Sequence, residues 1–514
     1  MLATILWTFL VVLFGYWVYK LAKFIHFVYF YQLPLVKDFA GPECLPIIGC
    51  IHKMPLDIKE VPDYMMKWGA EAVEKNASLM KFMIGPLIVV MPVDHEAVKG
   101  ILESNEITKG SDYSFFEKWL GKGLLLGDGV RWRKARKMAT PAFHFNKLEE
   151  YSQPIEYHSR ARFKQYFTQK KRAKEINLYN RIKLCALDII SDTTMGVPIN
   201  AQQNENHPYV QAVEGFNTLA GSRSFKFYLK PDIVWKLLGY AKEEQRHLKV
   251  LNSFTEKVIK ERMEVYNEQR DVSEGQKPNF LDIMLQAKDS EQMNEQHLRE
   301  EVNTILFAGH DTTAHSICWA IWAFATHPDI QQRAYNELIE HFGESDSGFG
   351  SKQLKELKYF DQCVKEVLRM FPSAGAILRQ LNNEIKMCGK TIPSGVAITI
   401  PIMLIHRNPR VHFSLKFLKA STVVQVFNDP DKFDPDRFAE GKEYPNMSYI
   451  PFSAGIRNCL GQKFALMEIK ITLAHLLYNF EFSTNHAFED NKISFVALSR
   501  PSLGVPVRLT KREH

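Results

Sequence analysis

The chain has 514 residues, 46% of them apolar and 24% charged, with a net charge of +7. That is length enough for a large core and a bulky cofactor, and the composition is globular, which excludes disordered and collagen-like chains. The positive excess is too small and too spread out for nucleic-acid binding and suits an anionic membrane surface or an acidic protein partner; seven cysteines without CxxC pairs argue against a disulfide framework or a zinc site and fit a reducing compartment.

Residues 1–19 carry no charged side chain, and Lys20 and Lys23 follow at once. A run of about 20 apolar residues is long enough to cross a bilayer as a helix. Tyr16, Trp17 and Tyr19 fall where an interfacial belt would lie, and the two lysines would stay on the cytoplasmic side. A cleaved signal peptide would carry its basic residues before the apolar stretch rather than after it. Residues 1–23 are therefore read as a transmembrane anchor, with the aromatic run Phe24 to Tyr31 resting on the membrane surface. Pro34, Gly41-Pro42, Pro46 and Gly49 mark a stiff, turn-rich connector over 24–50 rather than a helix. Residues 51–514 are read as one catalytic domain.

Within that domain most segments read as helices. Trp132 and Arg136 are four residues apart and share a helical face, while Arg133, Lys134 and Lys137 point elsewhere. Asn294 to Thr326 is one long, increasingly apolar helix, capped by Asn294 and ended by His327-Pro328. Mid-way along it stands Ala308-Gly309-His-Asp311-Thr312-Thr313. A glycine and two threonines are poor helix formers, which predicts loosened hydrogen bonds and a groove. Pro328 opens the next helix, which runs to His341-Phe342-Gly343, and Gln353 to Phe371 forms another, ended by Pro372. Glu366 and Arg369 share one face of it. Short strands follow at Glu384 to Met387, Thr391-Ile392 and Val396 to Pro401, then a final long helix from Gly461 to Phe480. No Gly-rich strand-to-helix turn of the dinucleotide kind is present, so electrons for any redox chemistry must come from a partner.

The decisive segment is Phe452-Ser-Ala-Gly455-Ile-Arg457-Asn-Cys459-Leu-Gly461, of the pattern F-x-x-G-x-R-x-C-x-G. Its five fixed positions arise by chance in a chain this long roughly once in ten thousand sequences. A thiolate ligand pushes electron density onto haem iron and favours O–O cleavage. Cys459 precedes a helix, whose dipole favours a negative sulfur. Gly455 and Gly461 let the backbone pass close to sulfur and porphyrin, Arg457 reaches a haem propionate, and Phe452 shields the thiolate. The other six cysteines are read as small buried hydrophobes.

On these residues the sequence resembles the cytochrome P-450 superfamily, and within it the microsomal families that include fatty-acid ω-hydroxylases. The resemblance runs from the proline-rich connector to the end of the chain. It implies a mainly α fold, a helical bundle around haem with small β-sheets, and a non-covalent haem b ligated by Cys459. It also implies monooxygenase chemistry on an apolar fatty acid, steroid or xenobiotic. Its partners would be an NADPH-cytochrome reductase and, optionally, cytochrome b5. The location would be the endoplasmic reticulum membrane, with one N-terminal span and a cytosolic catalytic domain. Trp132 and Arg136 match the family's W-x-x-x-R and are expected to bond a propionate, as is Arg379. Arg133, Lys134 and Lys137 would be a solvated basic face or a reductase docking surface. Pro435-Asp436-Arg437-Phe438 looks like the family's P-E-R-F segment, which implies a buried lock of Glu366, Arg369 and Arg437. The Ala308 to Thr313 segment implies an oxygen groove where Thr312 bonds bound oxygen and Asp311 relays protons. Two rivals remain, an oxygen-independent haem isomerase or dehydratase and an inactive haem-binding homologue.

Two departures stand out. Where ω-hydroxylase relatives often carry a glutamate that esterifies to haem, this chain has Ala308, which leaves the substrate open. And Val411 to Gln425 interrupts the stretch between Asn408-Pro409-Arg410 and Val426-Phe427-Asn428-Asp429-Pro430. Removing it joins Arg410 to Val426 and restores the family's spacing. Valine codons start GT and a glutamine codon is CAG, so an in-frame retained intron, a gene-model error and a tolerated surface insertion all stand as readings. Its position between Arg369 and Arg437 raises the expectation that it loosens haem.

Overall fold

The computed structural model describes residues 2–513 apart from 56, 58–59, 105–107, 170–174, 270–276, 344–347, 351–352, 409 and 415–420. It is mainly helical, with small sheets. The N-terminal helix Leu2–His26 passes through a wider π turn, Phe27–Gln32, into a last helical turn, Leu33–Val36. Its side chains from Ile5 to Tyr19 are exposed, and Thr4–Val36 is long and apolar enough to cross a membrane. The aromatic stretch is thus the helix's own continuation, with Phe27 and Tyr31 stacked at 5.1 Å. Pro34 does not end the helix because it sits in the first turn of the final segment, where its missing N–H is tolerated. The turn-rich connector begins only after Val36. The helix end is docked on the domain: Val28 and Val36 are buried, and Gln32 Nε2 donates to the Ser394 carbonyl at 2.8 Å.

A four-stranded sheet lies beside this dock. Leu79–Ile84 and Leu87–Pro92 form a hairpin, Ala397–Ile400 adds parallel to its second strand, and Ile377–Gln380 closes the far edge. The hairpin's second strand is apolar without alternation because both of its faces are covered from Ile88 to Pro92. The strands read after Glu384 are shorter, Ile385–Met387 paired with Lys390–Ile392. The helix expected from Gln353 is split into a 3-10 turn, Gln353–Lys355, and a helix, Lys358–Met370.

The long central helix spans Glu295–Thr326, and Asn294 Oδ1 caps it by accepting from the His297 N–H at 2.9 Å. Nearly every residue beyond Leu298 is buried, as befits a helix apolar all round. It packs on Tyr179–Ile190 and on the final helix, Gln462–Asn479. The expected loosening at Ala308 to Thr313 is absent; the α-helix is continuous. The hydroxyls of Thr312 and Thr313 donate back to the carbonyls of Ala308 and Gly309, each at 2.7 Å, which satisfies them within the helix. Gly309 serves packing: a Cβ there would lie 2.3 Å from Ile190 Cδ1. In the interrupting segment Arg410–Ser414 pairs antiparallel with Ser421–Gln425, and its tip, 415–420, lies outside the described residues.

Candidate active site

A cavity of about 700 Å³ has Cys459, Arg457 and Phe452 on its lining together with Ala308, Gly309 and Thr312 of the central helix. At its other end Phe24, Phe27 and Gln32 of the anchor helix join the lining. The Cys459 loop is a tight turn in which Cys459 N–H donates to the Phe452 carbonyl at 3.0 Å and Asn458 N–H to Gly455 at 3.2 Å. Gly455 is obligatory: its φ is +69°, and a Cβ would lie 2.0 Å from the Leu102 carbonyl oxygen. The Cys459 thiol is exposed, yet it opens into the cavity and not onto the outer surface. Burial of its surroundings pushes the thiol up, while the Gly461 N–H and Arg136 favour the thiolate.

The cations near the loop are arranged unequally. Arg136 grips the residue beside the cysteine, donating from Nη1 and Nη2 to the carbonyl and side-chain oxygens of Asn458, both at 2.7 Å. Arg457 lies over the buried Trp132 ring at 4.2 Å and donates to the carbonyls of Gly127 and, at 3.4 Å, Leu124. Arg379 Nη1 donates to the Leu378 carbonyl at 3.0 Å, and its strand bridges Lys109. Burial, then Arg379 and Arg457, hold the Lys109 ammonium well below its ordinary range. Burial and Arg379 bring Arg457 down to about 10. Among the described residues no carboxylate pairs with Lys109 or Arg379. A thiol facing an apolar cavity with excess positive charge at its edge is the donor set that haem b requires: sulfur for iron, cations for two propionates. Lys109 went unseen in the sequence because nothing local distinguishes it.

The central helix presents two different faces. Ala308 and Thr312 line the cavity, and the Thr312 carbonyl accepts from Ser373 Oγ at 2.8 Å and Ser316 Oγ at 3.2 Å. Asp311 points away from the cavity lining. Its Oδ1 is 2.9 Å from Lys183 Nζ and its Oδ2 accepts from Asn217 at 3.1 Å, with both ionic groups buried. Burial alone would raise its carboxyl, but Lys183, His315 and His310 hold it well below the carboxylate range. Asp311 in this arrangement is a paired anion, not an acid open to the cavity. Thr313, also on the lining, sits 3.0 Å from Glu468 Oε1, whose carboxyl burial pushes well up.

Behind the loop, Glu366 accepts from Arg369 Nε at 2.7 Å and Nη2 at 2.9 Å, and from Arg437 Nε at 3.2 Å. Arg369 Nη1 also donates to the His406 carbonyl at 3.0 Å, and Arg437 to the carbonyls of Asn428 and Asp429. The triad is closed, with the interrupting hairpin hanging between its His406 and Asn428 arms. Arg133, Lys134 and Lys137 are exposed on the outer face of the Trp132 helix, Gly129–Ala139.

The family model described as Cytochrome P450 matches residues 40–505. Cytochrome P450 4V2 of Pongo abelii is 35% identical over 485 residues, covering 91% of this chain and 88% of that protein. Cytochrome P450 4d1 of Drosophila melanogaster is 35% identical over 471 residues, covering 87% and 88%. Cytochrome P450 4c21 of Blattella germanica is 33% identical over 482 residues, covering 91% and 92%.

Proposed function

The chain belongs to the cytochrome P450 family of haem-thiolate monooxygenases, and from that premise we propose that it hydroxylates an apolar, lipid-like substrate drawn from the membrane that holds its anchor. The observation that carries this reading is the continuity of one apolar cavity from Cys459 and Thr312 to Phe24 and Phe27 of the anchor helix. A fatty acid, steroid or xenobiotic partitioned into lipid enters such a cavity without crossing water. When bound, haem b supplies the activation of dioxygen, with one oxygen atom inserted into a C–H bond and the other released as water.

Cys459 holds the iron through sulfur, and Arg136 keeps its loop in place by gripping Asn458. Arg379, Arg457 and Lys109 take the propionates, with Trp132 as the platform under Arg457. Thr312 donates a proton-bearing hydroxyl toward the oxygen side, once that hydroxyl turns from the Ala308 carbonyl. Asp311, held as an anion by Lys183 away from the cavity, would relay protons only once that ion pair opens. The electrons come from an NADPH-dependent reductase docked by charge on Arg133, Lys134 and Lys137. The setting is the endoplasmic reticulum membrane with the catalytic domain in the cytosol.

The test uses full-length protein in lipid discs with reductase and NADPH, offered fatty acids, steroids and apolar xenobiotics. We expect a thiolate-type Soret band in the reduced carbon-monoxide complex, lost in Cys459→Ala, and NADPH-dependent oxygenated product. Product formed without NADPH would point to an isomerase, and no product from any lipid class would overturn the substrate reading. Thr312→Ala should keep haem and lower product per NADPH consumed; an undiminished ratio removes Thr312 from proton delivery. Because Ala308 offers no carboxylate for an ester, acidic organic solvent should extract the haem completely.

A further inference from the structure

Cys44 and Cys50, read from the sequence as unrelated small hydrophobes, meet in the structure. Leu45 and Gly49 exchange both backbone hydrogen bonds at 2.9 Å and close a tight hairpin. Cys44 and Cys50 are the next facing pair outward. Such a non-hydrogen-bonded pair has its Cα atoms about 4.5 Å apart, inside the disulfide range of about 4.4–6.8 Å. The hairpin thus sets the two thiols side by side, each close enough to perturb the other's titration. Cys50 Sγ also sits 3.1 Å from the Met83 carbonyl and Cys44 Sγ 3.3 Å from that of Pro42. Cys50 is fully buried and Cys44 half-buried, so one sulfur of the pair is open to a small reagent and the other waits behind it.

The surroundings give the pair its polarity. The neighbouring Cys50 thiol, with help from the Met83 backbone, Lys81 and Lys53 and against burial, brings the Cys44 thiol down to about 7. The same proximity, with burial, pushes the Cys50 thiol far up. The pair is thereby polarised, with the accessible sulfur the more acidic of the two. The hairpin is also a joint. At its tip Ile47 N–H donates to the Tyr29 hydroxyl of the anchor helix, and at its base Cys50 N–H donates to Met83 of the strand Leu79–Ile84. Lys81 of that strand donates to the carbonyls of Val36 and Phe39 at 2.7 and 3.3 Å, where the anchor helix ends.

We propose that Cys44 and Cys50 form a redox-active dithiol at the root of the anchor, oxidised by hydrogen peroxide to a disulfide and restored by a thiol reductant. The Cys44 thiolate attacks one peroxide oxygen, breaking the O–O bond and giving a Cys44 sulfenic acid and hydroxide. The Cys50 sulfur then attacks the Cys44 sulfur, the S–S bond forms, and the sulfenic oxygen leaves. The two protons lost from the thiols complete two molecules of water. The sulfurs give up two electrons and the peroxide accepts them. The closed form fixes the hairpin between anchor and sheet and removes the anion beside Lys81.

The test reads mass, not activity, on the full-length haem-loaded protein in lipid discs. Cys44 and Cys50 lie on one tryptic peptide, between Lys37 and Lys53. Cys388, whose thiol is exposed but pushed up to about 11 by its partly buried setting and by Asp94, serves as the internal reference. At pH 7 a brief iodoacetamide pulse should label Cys44 at least about tenfold faster than Cys388, as thiolate content dictates. After hydrogen peroxide, the peptide should lose two hydrogens, resist alkylation at both cysteines, and recover both properties with dithiothreitol. In Cys50→Ala, dimedone should trap a sulfenic acid on Cys44. Equal labelling of Cys44 and Cys388, or peroxide that carries Cys44 to sulfinic acid in the unaltered protein without joining Cys50, would overturn the proposal.

Discussion

Two groups of buried arginines flank the Cys459 loop. In one, Arg369 and Arg437 share the Glu366 carboxylate and spend their remaining N–H groups on the carbonyls of His406, Asn428, Asp429 and Lys432. In the other, Lys109, Arg379 and Arg457 crowd one another, and each has its charge disfavoured by burial. The first group is complete within the chain and its product is rigidity. In the second, Asp128 acts on Arg457, while burial and mutual repulsion disfavour the Lys109 charge and burial that of Arg379, so an anionic ligand would relieve the crowding. Charge closed on one carboxylate marks structure; cations crowded against one another suit an anionic ligand.

The contrast breaks most sharply at Glu366. Glu366→Ala leaves two buried guanidiniums facing each other, and removing one partner of such a group costs about 3–5 kcal/mol. We expect little folded holoprotein and a markedly lower denaturation midpoint; normal stability would show that the triad is not a lock. Arg379→Leu should do the opposite. Losing a charge-assisted hydrogen bond to a propionate costs about 1.5–3 kcal/mol, roughly ten- to hundredfold in haem retention. The haem-free protein should be no less stable than the parent, because a repulsion has been removed. Haem transfer to an excess of apomyoglobin measures the first quantity and thermal unfolding of the apoprotein the second. Haem dimethyl ester, lacking the two charges, should bind both proteins alike.

A smaller effect lies on the border of the open group. Glu301 accepts from the Leu124 N–H at 2.9 Å, in the loop whose carbonyls Arg457 uses, and burial raises its carboxyl to about 7. The folded state therefore holds this proton more tightly than the unfolded chain. Its contribution is fully present below the ordinary glutamate range and is lost as pH rises through 7. Glu301→Gln keeps an acceptor for Leu124 and should flatten the fall in Tm between pH 5 and 8; an unchanged slope assigns the pH dependence elsewhere. The smallest effect is expected from deleting residues 411–425. The triad is closed with the hairpin in place, so the joined chain should unfold within about 1 kcal/mol of the parent, as loop-length changes usually do. A large gain in haem retention on deletion would instead show the segment to be foreign to the working enzyme, and sequencing the mature transcript across Pro409 to Asp429 decides its origin.

Some of this was legible in the sequence, for reasons of distance along the chain. Phe452 to Gly461 is contiguous, so its pattern carries its geometry with it. Glu366 and Arg369 are one helical turn apart, and only Arg437 had to be supplied by the family resemblance. The facing of Asp311 was readable: a helix turns about 100° per residue, so Thr312 and Ala308 share a side that Asp311 leaves. The groove expected at Gly309 did not reckon with Ile190, a distant residue that packs directly against that glycine. Lys109 joins Arg379 only through a bridge between distant strands, and the run Leu87 to Pro92 hid its strand character by being apolar on both faces. The meeting of Cys44 and Cys50 depends on a hairpin around Ile47, whose positive φ of 68° no propensity favours.

The unbroken helix from Leu2 to Val36 acts as a ruler. At 1.5 Å per residue it measures roughly 50 Å, whereas the hydrocarbon of a bilayer takes up about 30 Å. The surplus is a stiff post, bolted to the domain through Val28, Gln32 and Val36, that in a bilayer would fix how high and at what tilt the catalytic body rides above the lipid. The cavity wall that Phe24 and Phe27 contribute would then stay at a set height relative to the lipid instead of sweeping over it on a flexible tether. A version of the protein cut free at Val36 would keep Cys459 and every arginine around it, and would lose one wall of its own entrance.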